Sequence, residues 1–218
     1  MMLSIVIIIL AGALLACLLY CECREGSRGL LVPVKTVLSA LFVVTVLVRP
    51  HPMPAYYHFL LIGLLFCLAG DVFLALPQDR MFRLGLVSFL VGHIFYSVAF
   101  FTTAPVSAWT WWGSLVALIV SGWIYLWLRP SLGAMNTPVL AYIVVITVMV
   151  SGAVSILGDA RLALAGRIMI FAGGWCFYAS DIFVARDRFV KKEPLNRLIG
   201  LPLYYGGQFL LAFSVGQL

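Results

Sequence analysis

The chain has 218 residues, of which 64% are hydrophobic and 10% charged, with a formal net charge of +6 and a mean hydropathy of +1.11. A soluble domain carries roughly 45–50% apolar and 25% charged residues, so this composition excludes an ordinary soluble protein. We therefore predict an integral membrane protein. Its continuous apolar runs of about 20 residues favour transmembrane helices over barrel strands, which would be about ten residues long with alternating polarity.

Eight apolar runs follow one another along the chain, and each is long enough to cross a bilayer as an α-helix. The connections between them are short, so we expect one domain over residues 1–218 without a separate soluble unit. The predicted fold class is all-α: a polytopic membrane protein with a single bundle of eight transmembrane helices. In chain order the runs are Met2–Tyr20, Leu31–Val48, Tyr56–Leu76, Met81–Thr103, Trp109–Leu128, Asn136–Leu157, Leu162–Ala185 and Leu198–Gly216.

Basic residues divide unequally between the two sides of this bundle. With eight spans both termini share one side, and the odd-numbered connections lie on the other. Because those connections hold most of the basic residues, we predict that they are cytoplasmic and that both termini lie on the non-cytoplasmic side. The positive charge then reflects the membrane topology and attraction to anionic lipids, and it does not indicate nucleic-acid binding. The odd connections hold Arg24, Arg28, Arg80, Arg83, Arg129, Arg186, Arg188, Lys191, Lys192 and Arg197, and the others hold or adjoin Arg49, Arg161 and Arg167.

The first run and the cysteines each have an alternative interpretation. The run lacks a basic segment ahead of it and is long, so we interpret it as a span and not as a removable signal. A lipoprotein cleavage site before Cys17 is the alternative. The cysteines are odd in number and lack zinc-ribbon spacing, so we predict free thiols without a disulfide or a metal. They are Cys17, Cys21, Cys23, Cys67 and Cys176.

Two aspartates stand in the same short frame on the third and seventh predicted helices. The frame reads AGDVFLAL at residues 69–76 and ASDIFVAR at residues 179–186. Asp71 and Asp181 each lie about five residues, or roughly 8 Å, from the cytoplasmic end of their helix. An aspartate at the centre of a span costs about 2.5–3.5 kcal/mol on insertion scales, so such residues face a bundle interior or water and find partners. Two of them at one level predict a shared site; whether the repeat records two parallel halves of the chain stays open.

Other polar side chains fall in the same layer, between the cytoplasmic surface and mid-membrane. At 1.5 Å per residue, Lys35 lies about 6 Å deep, Tyr142, Tyr204 and Tyr205 about 9–11 Å, and His93 and Gln208 roughly 15–18 Å. This coincidence of depth across several helices favours a functional site.

Each of these residues also has a structural alternative. Asp71 or Asp181 alone would bond backbone amides or pair with Arg80 or Arg186. Lys35 would extend to the surface, and the tyrosines would belong to an interfacial belt. His93 would be a buried histidine bonded to a neighbouring carbonyl.

Metal-dependent hydrolysis is hard to support from this sequence. The chain has three histidines, and His51 and His58 lie near the opposite membrane face from the two acids, so a histidine-rich zinc centre cannot be assembled. There is no G-x-S-x-G elbow, no P-loop and no dinucleotide fingerprint. We therefore predict carboxylate chemistry, helped by Lys, His and Tyr, with no metal and no cofactor.

The order and spacing of these residues resemble the YhhN family, the lysoplasmalogenases. The series is Lys35, Gly70–Asp71, G-x-x-x-F-x-x-G-H-x-x-Y over residues 85–96, Ser180–Asp181, and Y-Y-G-G-Q over residues 204–208. It covers most of the chain, and family members often carry a proline where this chain has Thr36. The resemblance implies an eight-helix membrane hydrolase that cleaves the vinyl-ether bond of lysoplasmalogens, giving a fatty aldehyde and glycerophospho-ethanolamine or -choline.

Such a hydrolysis suits a pair of carboxyl groups, as in glycosidases, where an apolar setting keeps one of them protonated. We predict that Asp71 and Asp181 are this catalytic pair: one is the general acid, and the other stabilises the cation or activates water. His93 orients water or relays a proton, and Lys35 meets the phosphate. The predicted substrate-binding residues are Lys35, Tyr142, Ser180, Tyr204, Tyr205 and Gln208.

The expected partners are a lysophospholipid substrate and membrane lipids, with no nucleic acid. A proton-coupled transporter is the main alternative, because intramembrane Asp and His also mark ion pathways. A transport pathway would require polar residues that continue through the other leaflet, but in this sequence they become few beyond mid-membrane. A scaffold subunit would leave the matched acids without a purpose. The short connections favour a bacterial inner membrane.

Overall fold

The computed structural model describes residues 2–23 and 28–218, and the regular structure of these residues is helical throughout. They form eight α-helices: α1 Met2–Cys23, α2 Arg28–Leu47, α3 Pro54–Ala75, α4 Asp79–Thr103, α5 Ala108–Leu132, α6 Asn136–Gly158, α7 Leu164–Ala185 and α8 Pro194–Ser214. The all-α prediction is confirmed. Arg24, one of the basic residues behind the predicted topology, lies outside the described residues.

Two irregular turns connect or extend these helices. A 3-10 turn at Gly133–Met135 joins α5 to α6 without a break, so the described chain has seven continuous helical stretches. A π-helical turn at Arg186–Val190 extends α7 toward α8. Each predicted run falls mainly within one helix, but α8 begins at Pro194 and not at Leu198. Proline suits the first helical position because it lacks the N–H that would be unpaired there.

Six segments of the described residues have the length and hydropathy of membrane spans. One of them extends from Ala108 to Gly158 and contains both α5 and α6, because hydropathy stays high through the turn between them. α8 is not among the six. It carries Asn196, Arg197 and Gln208 together with glycines and tyrosines, which lower its mean hydropathy. The structure thus confirms an integral membrane protein with apolar helices.

The helices pack in two tight pairs on a central helix. α3 packs on α4, and α7 on α8, while α6 lies against α4, α5 and α7. α2 packs on α3 and α8, and α1 is peripheral. In the α7–α8 pair a Cβ on Gly173 would lie 2.9 Å from the carbonyl oxygen of Gly207, and one on Gly207 would lie 2.8 Å from that of Gly173. Glycine at both positions is what lets these two backbones approach.

Candidate functional site

Asp71 lies inside the bundle on α3 and is 1% exposed. Its Oδ1 atom forms an ion pair with Nζ of Lys35 on α2 at 3.2 Å. Its Oδ2 atom accepts hydrogen bonds from the hydroxyls of Ser39 and Tyr204, each at 2.6 Å. The Tyr205 hydroxyl lies 3.2 Å from that of Ser39. We call these five residues the Asp71 cluster. An ammonium group and two hydroxyl donors around one carboxyl group are partners that suit an ionised carboxylate.

The helical repeat explains how these partners converge. Lys35 and Ser39 are four residues apart and therefore share one face of α2. Tyr204 and Tyr205 come from α8, which packs on α2 and contacts α3. Each partner of Asp71 thus comes from a neighbouring helix and none from α3 itself.

Asp181 on α7 has different surroundings. Its side chain is 20% exposed, and Nε2 of His93 on α4 lies 3.8 Å from its Oδ2 atom. The same oxygen accepts a hydrogen bond from the hydroxyl of Tyr142 on α6 at 2.7 Å. We call Asp181, His93 and Tyr142 the Asp181 cluster. Among the described side chains, no lysine or arginine forms an ion pair with Asp181.

The imidazole of His93 is fully buried between aromatic rings. Its ring centroid lies 4.5 Å from that of Phe177 and 5.2 Å from that of Tyr142. The carbonyl of Phe89 lies near the ring. Neither ring nitrogen, however, has a hydrogen-bond partner of good geometry among the described residues. A buried polar group without a partner is costly, so this imidazole suits a polar group of a bound molecule.

Gln208 belongs to neither cluster. Its Oε1 atom accepts a hydrogen bond from the Tyr96 hydroxyl at 2.7 Å, and its Nε2 atom is buried without a partner among the described residues. The Tyr96 hydroxyl also lies 3.5 Å from Sγ of Cys67. The side chain of Gln208 is also close enough to the Cys67 thiol to interact with it. Gln208 therefore has an N–H donor that a bound molecule can use beside Cys67.

Aromatic rings separate the two clusters. The ring of Phe177 has its centroid 4.5 Å from that of His93 and 5.1 Å from that of Tyr204. Phe89 lies 6.0 Å from Phe177 and 5.8 Å from Tyr204. The thiol of Cys67 is close enough to both carboxyl groups to interact with each electrostatically. The two acids are therefore neighbours across a wall formed by Phe89 and Phe177.

Comparison with known proteins identifies the family. The model of the YhhN family matches residues 30–215. This chain belongs to the YhhN family. The region of the YhhN match contains both clusters and Gln208.

Three relatives of this chain are named for their activity. Lysoplasmalogenase TMEM86A of Bos taurus is 31% identical over 159 residues, which are 70% of this chain and 63% of that protein. Lysoplasmalogenase TMEM86A of Homo sapiens is 32% identical over 159 residues, which are again 70% of this chain and 63% of that protein. Lysoplasmalogenase TMEM86B of Rattus norvegicus is 30% identical over 162 residues, which are 72% and 62% of the two proteins. The match spans less than two thirds of each relative, and no solved structure gives a significant match.

The structural alternatives for Lys35, for Asp181 and for the tyrosines are wrong in this YhhN-family chain, whereas His93 is a buried histidine near the carbonyl of Phe89, as its alternative states. Lys35 does not extend to the surface: it is 7% exposed and paired with Asp71. Arg186 donates to Glu193 at 2.6 Å and to Asn196, and not to Asp181. The three predicted tyrosines are buried, and Tyr142 and Tyr204 bond directly to the acids, so none of the three lies in an interfacial belt.

The structure also corrects the predicted list of residues. Ser180 is buried, and its hydroxyl donates to the carbonyl of Phe177 at 2.7 Å, so it faces its own helix. Ser39 was missed although its spacing of four from Lys35 could have indicated it. In the sequence, Tyr96 is only the last residue of a motif and nothing indicates Phe177. Their contacts with Gln208 and His93 follow from packing between helices.

Proposed function

We propose that this chain is a lysoplasmalogenase, an ether hydrolase that converts a lysoplasmalogen and water into a fatty aldehyde and a glycerophospho-ethanolamine or -choline. The observation that carries the proposal is the Asp181 cluster: a carboxyl group inside an apolar bundle that has no lysine or arginine partner among the described residues. Beside it lies an imidazole whose nitrogens lack a well-aligned hydrogen-bond partner in the same part of the chain. The similarity to three relatives named lysoplasmalogenases supports the same activity.

The chemistry requires a proton donor at the vinyl ether. Protonation of the carbon β to the ether oxygen converts the neighbouring carbon into an oxocarbenium ion. Water adds to that carbon and gives a hemiacetal, which collapses to the aldehyde and the glycerol hydroxyl. One water is consumed and the proton is returned, so a single carboxyl group can act first as acid and then as base.

We assign the acid to Asp181. Its two contacts, with Tyr142 and His93, both use Oδ2, which leaves Oδ1 to carry the transferred proton. A carboxyl group that lacks a cationic partner in apolar surroundings is more easily kept neutral than one in an ion pair. His93 then orients the water and relays its proton back to Asp181.

We assign a supporting electrostatic role to Asp71. Lys35, Ser39 and Tyr204 hold it as a carboxylate, and its charge stabilises the cation from across the aromatic wall. In this proposal Lys35 is the counter-ion of Asp71. The Nε2 group of Gln208, which has no well-aligned partner among the described residues, donates to a glycerol oxygen. We propose that Tyr204 and Tyr205 line the polar end of the same region.

The membrane arrangement is part of the proposal. We infer eight spans with both termini on the non-cytoplasmic side, so that both clusters lie in the cytoplasmic half of the bilayer. The basic residues of the odd connections support this orientation. We also propose a bacterial inner membrane and a reaction that needs no metal ion.

The transporter alternative gains no support from these observations. At the outer end, His58 bonds the carbonyl of Pro54 in its own helix, His51 bonds that of Arg49, and Arg49 donates to Ser4. These groups bond locally and do not continue the line of Asp181 and His93.

The test uses purified protein in detergent with three lipids of equal chain length: a lysoplasmalogen, its 1-acyl ester analogue and its saturated 1-alkyl ether. Aldehyde release is followed with and without EDTA. We expect aldehyde from the vinyl ether alone, unchanged by EDTA. Absence of aldehyde would refute the activity, and its loss with EDTA would refute the metal-independent mechanism.

A further inference from the structure

α4 and α7 face each other through a line of side chains that we call the α4–α7 seam. α4 packs mainly on α3 and α6, and α7 on α6 and α8. Across the seam, His93 and Phe89 contact Phe177, and nearer the cytoplasmic ends the rings of Phe82 and Phe189 lie 6.0 Å apart. Asp181 lies between Phe177 and Phe189 along α7. The seam therefore leads from the Asp181 cluster to the membrane surface.

Arg188 lies over the cytoplasmic mouth of this seam. Its Cζ atom is 4.5 Å from the centroid of the Phe82 ring. Its guanidinium also donates to the carboxylate of Asp79, at the start of α4. The side chains of Arg188 and Asp79 are 42% and 80% exposed. The guanidinium is thus positioned by an aromatic ring and held by an anion that faces solvent.

Two other cations near the site, Lys35 and Arg186, are already engaged. Lys35 is buried in its ion pair with Asp71, so the phosphate contact predicted for it would require that pair to break. Arg186 donates to Glu193 and Asn196, in a partly buried network. Arg188 differs because its partner is exposed, and exposed ion pairs contribute little free energy.

The position of Arg188 matches the shape of the substrate in the proposed function, on which this inference rests. The phosphate of a lysoplasmalogen is separated from the vinyl ether by the glycerol carbons. When the vinyl ether lies at Asp181, the head group extends toward the cytoplasmic surface. Arg188 follows Asp181 by seven residues, which is about 10 Å along a helix, and its own side chain spans part of that distance.

We propose that Arg188 binds the phosphate of the substrate head group, and that this phosphate replaces the carboxylate of Asp79. The planar guanidinium offers parallel N–H donors that fit two oxygens of a phosphate as well as those of a carboxylate. The stacking of Arg188 on Phe82 is unchanged by this exchange of anions.

The experiment measures binding without chemistry. The ligands are a saturated 1-O-alkyl-glycerophosphoethanolamine and the 1-O-alkylglycerol of the same chain length, which lacks the phosphate, in neutral detergent. Arg188→Gln should weaken the phosphate-bearing ligand roughly 10-fold to 100-fold, because one charged hydrogen-bonding partner is lost. The alkylglycerol should bind as to wild type. For Arg188→Lys, the Kd of the phosphate-bearing ligand should lie between those of wild type and Arg188→Gln. Asp79→Asn should lower that Kd, because it removes the carboxylate that competes with the phosphate.

Arg161→Gln is the control, because Arg161 also has an exposed side chain and an ion pair, with Asp159 at 2.6 Å, in the connection between α6 and α7 at the opposite end of those helices. It should change neither Kd. Equal weakening of both ligands by Arg188→Gln, or no weakening of either, would overturn the inference. Unchanged or weaker binding in Asp79→Asn would refute the exchange of anions.

The two proposals fail separately. If wild-type protein binds the phosphate-bearing ligand through Arg188 but releases no aldehyde from lysoplasmalogen, the hydrolase proposal fails and the binding role stands. If wild-type protein releases aldehyde and Arg188→Gln binds both ligands normally, only the role of Arg188 fails.

Discussion

Asp71 and Asp181 occupy the same short sequence frame, yet their surroundings differ in every respect that matters for chemistry. Asp71 is 1% exposed and has a lysine and two hydroxyls as partners. Asp181 is 20% exposed in its side chain and has one hydroxyl and a nearby imidazole. The local frame places an acid at a given depth, whereas the neighbouring helices determine its partners. A repeated motif therefore does not imply a repeated role.

The difference predicts which acid is needed for structure and which for proton transfer. A buried ion pair is held together by both partners, and removing one leaves an uncompensated charge. A carboxyl group with few partners is free to gain and lose a proton. We expect mutations at the two sites to separate along these lines.

The largest effect should come from Asp181→Asn. The amide keeps the shape of the side chain and its contact with Tyr142 but cannot donate a proton as an acid does. Loss of a general acid lowers the rate about 10²-fold to 10⁴-fold. Aldehyde release from lysoplasmalogen measures the rate, and size-exclusion chromatography with thermal unfolding in detergent verifies the fold. If Asp181→Asn releases aldehyde at a rate close to that of wild type, Asp181 is not the general acid.

The next effect, on stability, should come from Asp71→Asn. The charge of Lys35 then lies buried without its partner, which costs about 3–5 kcal/mol in the free energy of unfolding. Thermal unfolding in detergent measures the loss. The double variant Lys35→Met with Asp71→Asn should regain most of the stability, since neither charge remains.

The activity of that double variant sharpens the comparison further. If its rate of aldehyde release is low while its fold is stable, the charge of Asp71 contributes to catalysis as we propose. A normal rate in the stable double variant would assign Asp71 to structure alone. Normal stability of the single variant would instead mean that the ion pair does not hold α2 against α3.

The smallest effect should come from Ser39→Ala, which removes one hydroxyl donor from the Asp71 carboxylate. A hydrogen bond to a charged group contributes about 1.5–3 kcal/mol, so a moderate loss of stability is expected. The matched control is Thr36→Val on the same helix, whose hydroxyl bonds only the carbonyl of Val32 in its own helix at 2.8 Å. Equal unfolding temperatures for the two variants would show that Ser39 adds nothing to the cluster.

Depth along a helix could be predicted from the sequence, but rotation about the helix axis could not. The polar layer that contains Asp71, Asp181 and His93 follows from counting residues from each helix end. The pairing of Lys35 with Asp71, by contrast, depends on which faces of α2 and α3 meet. Apolar runs that are hydrophobic on all sides carry little information about that rotation.

The wall between the two clusters escaped prediction for the same reason. Phe177 is one apolar residue among many in α7, and only packing shows that it separates His93 from Tyr204. The start of α8 was also missed, because its first turn is polar and holds the buried Asn196. Hydropathy alone does not distinguish such a turn from a connection.

The π-helical turn at Arg186–Val190 makes this short connection intolerant of length changes. A π turn contains one residue more than an α turn, so loss of a single residue here would convert it to an α turn and shift Asp187 and Lys191 relative to α8. Asn196 would then lose its bonds to the Lys191 carbonyl and to Asp187, at 2.8 and 3.0 Å. Homologous chains that keep Arg188 over Phe82 should therefore show no insertions or deletions in this segment, although its polar composition is that of a variable surface connection.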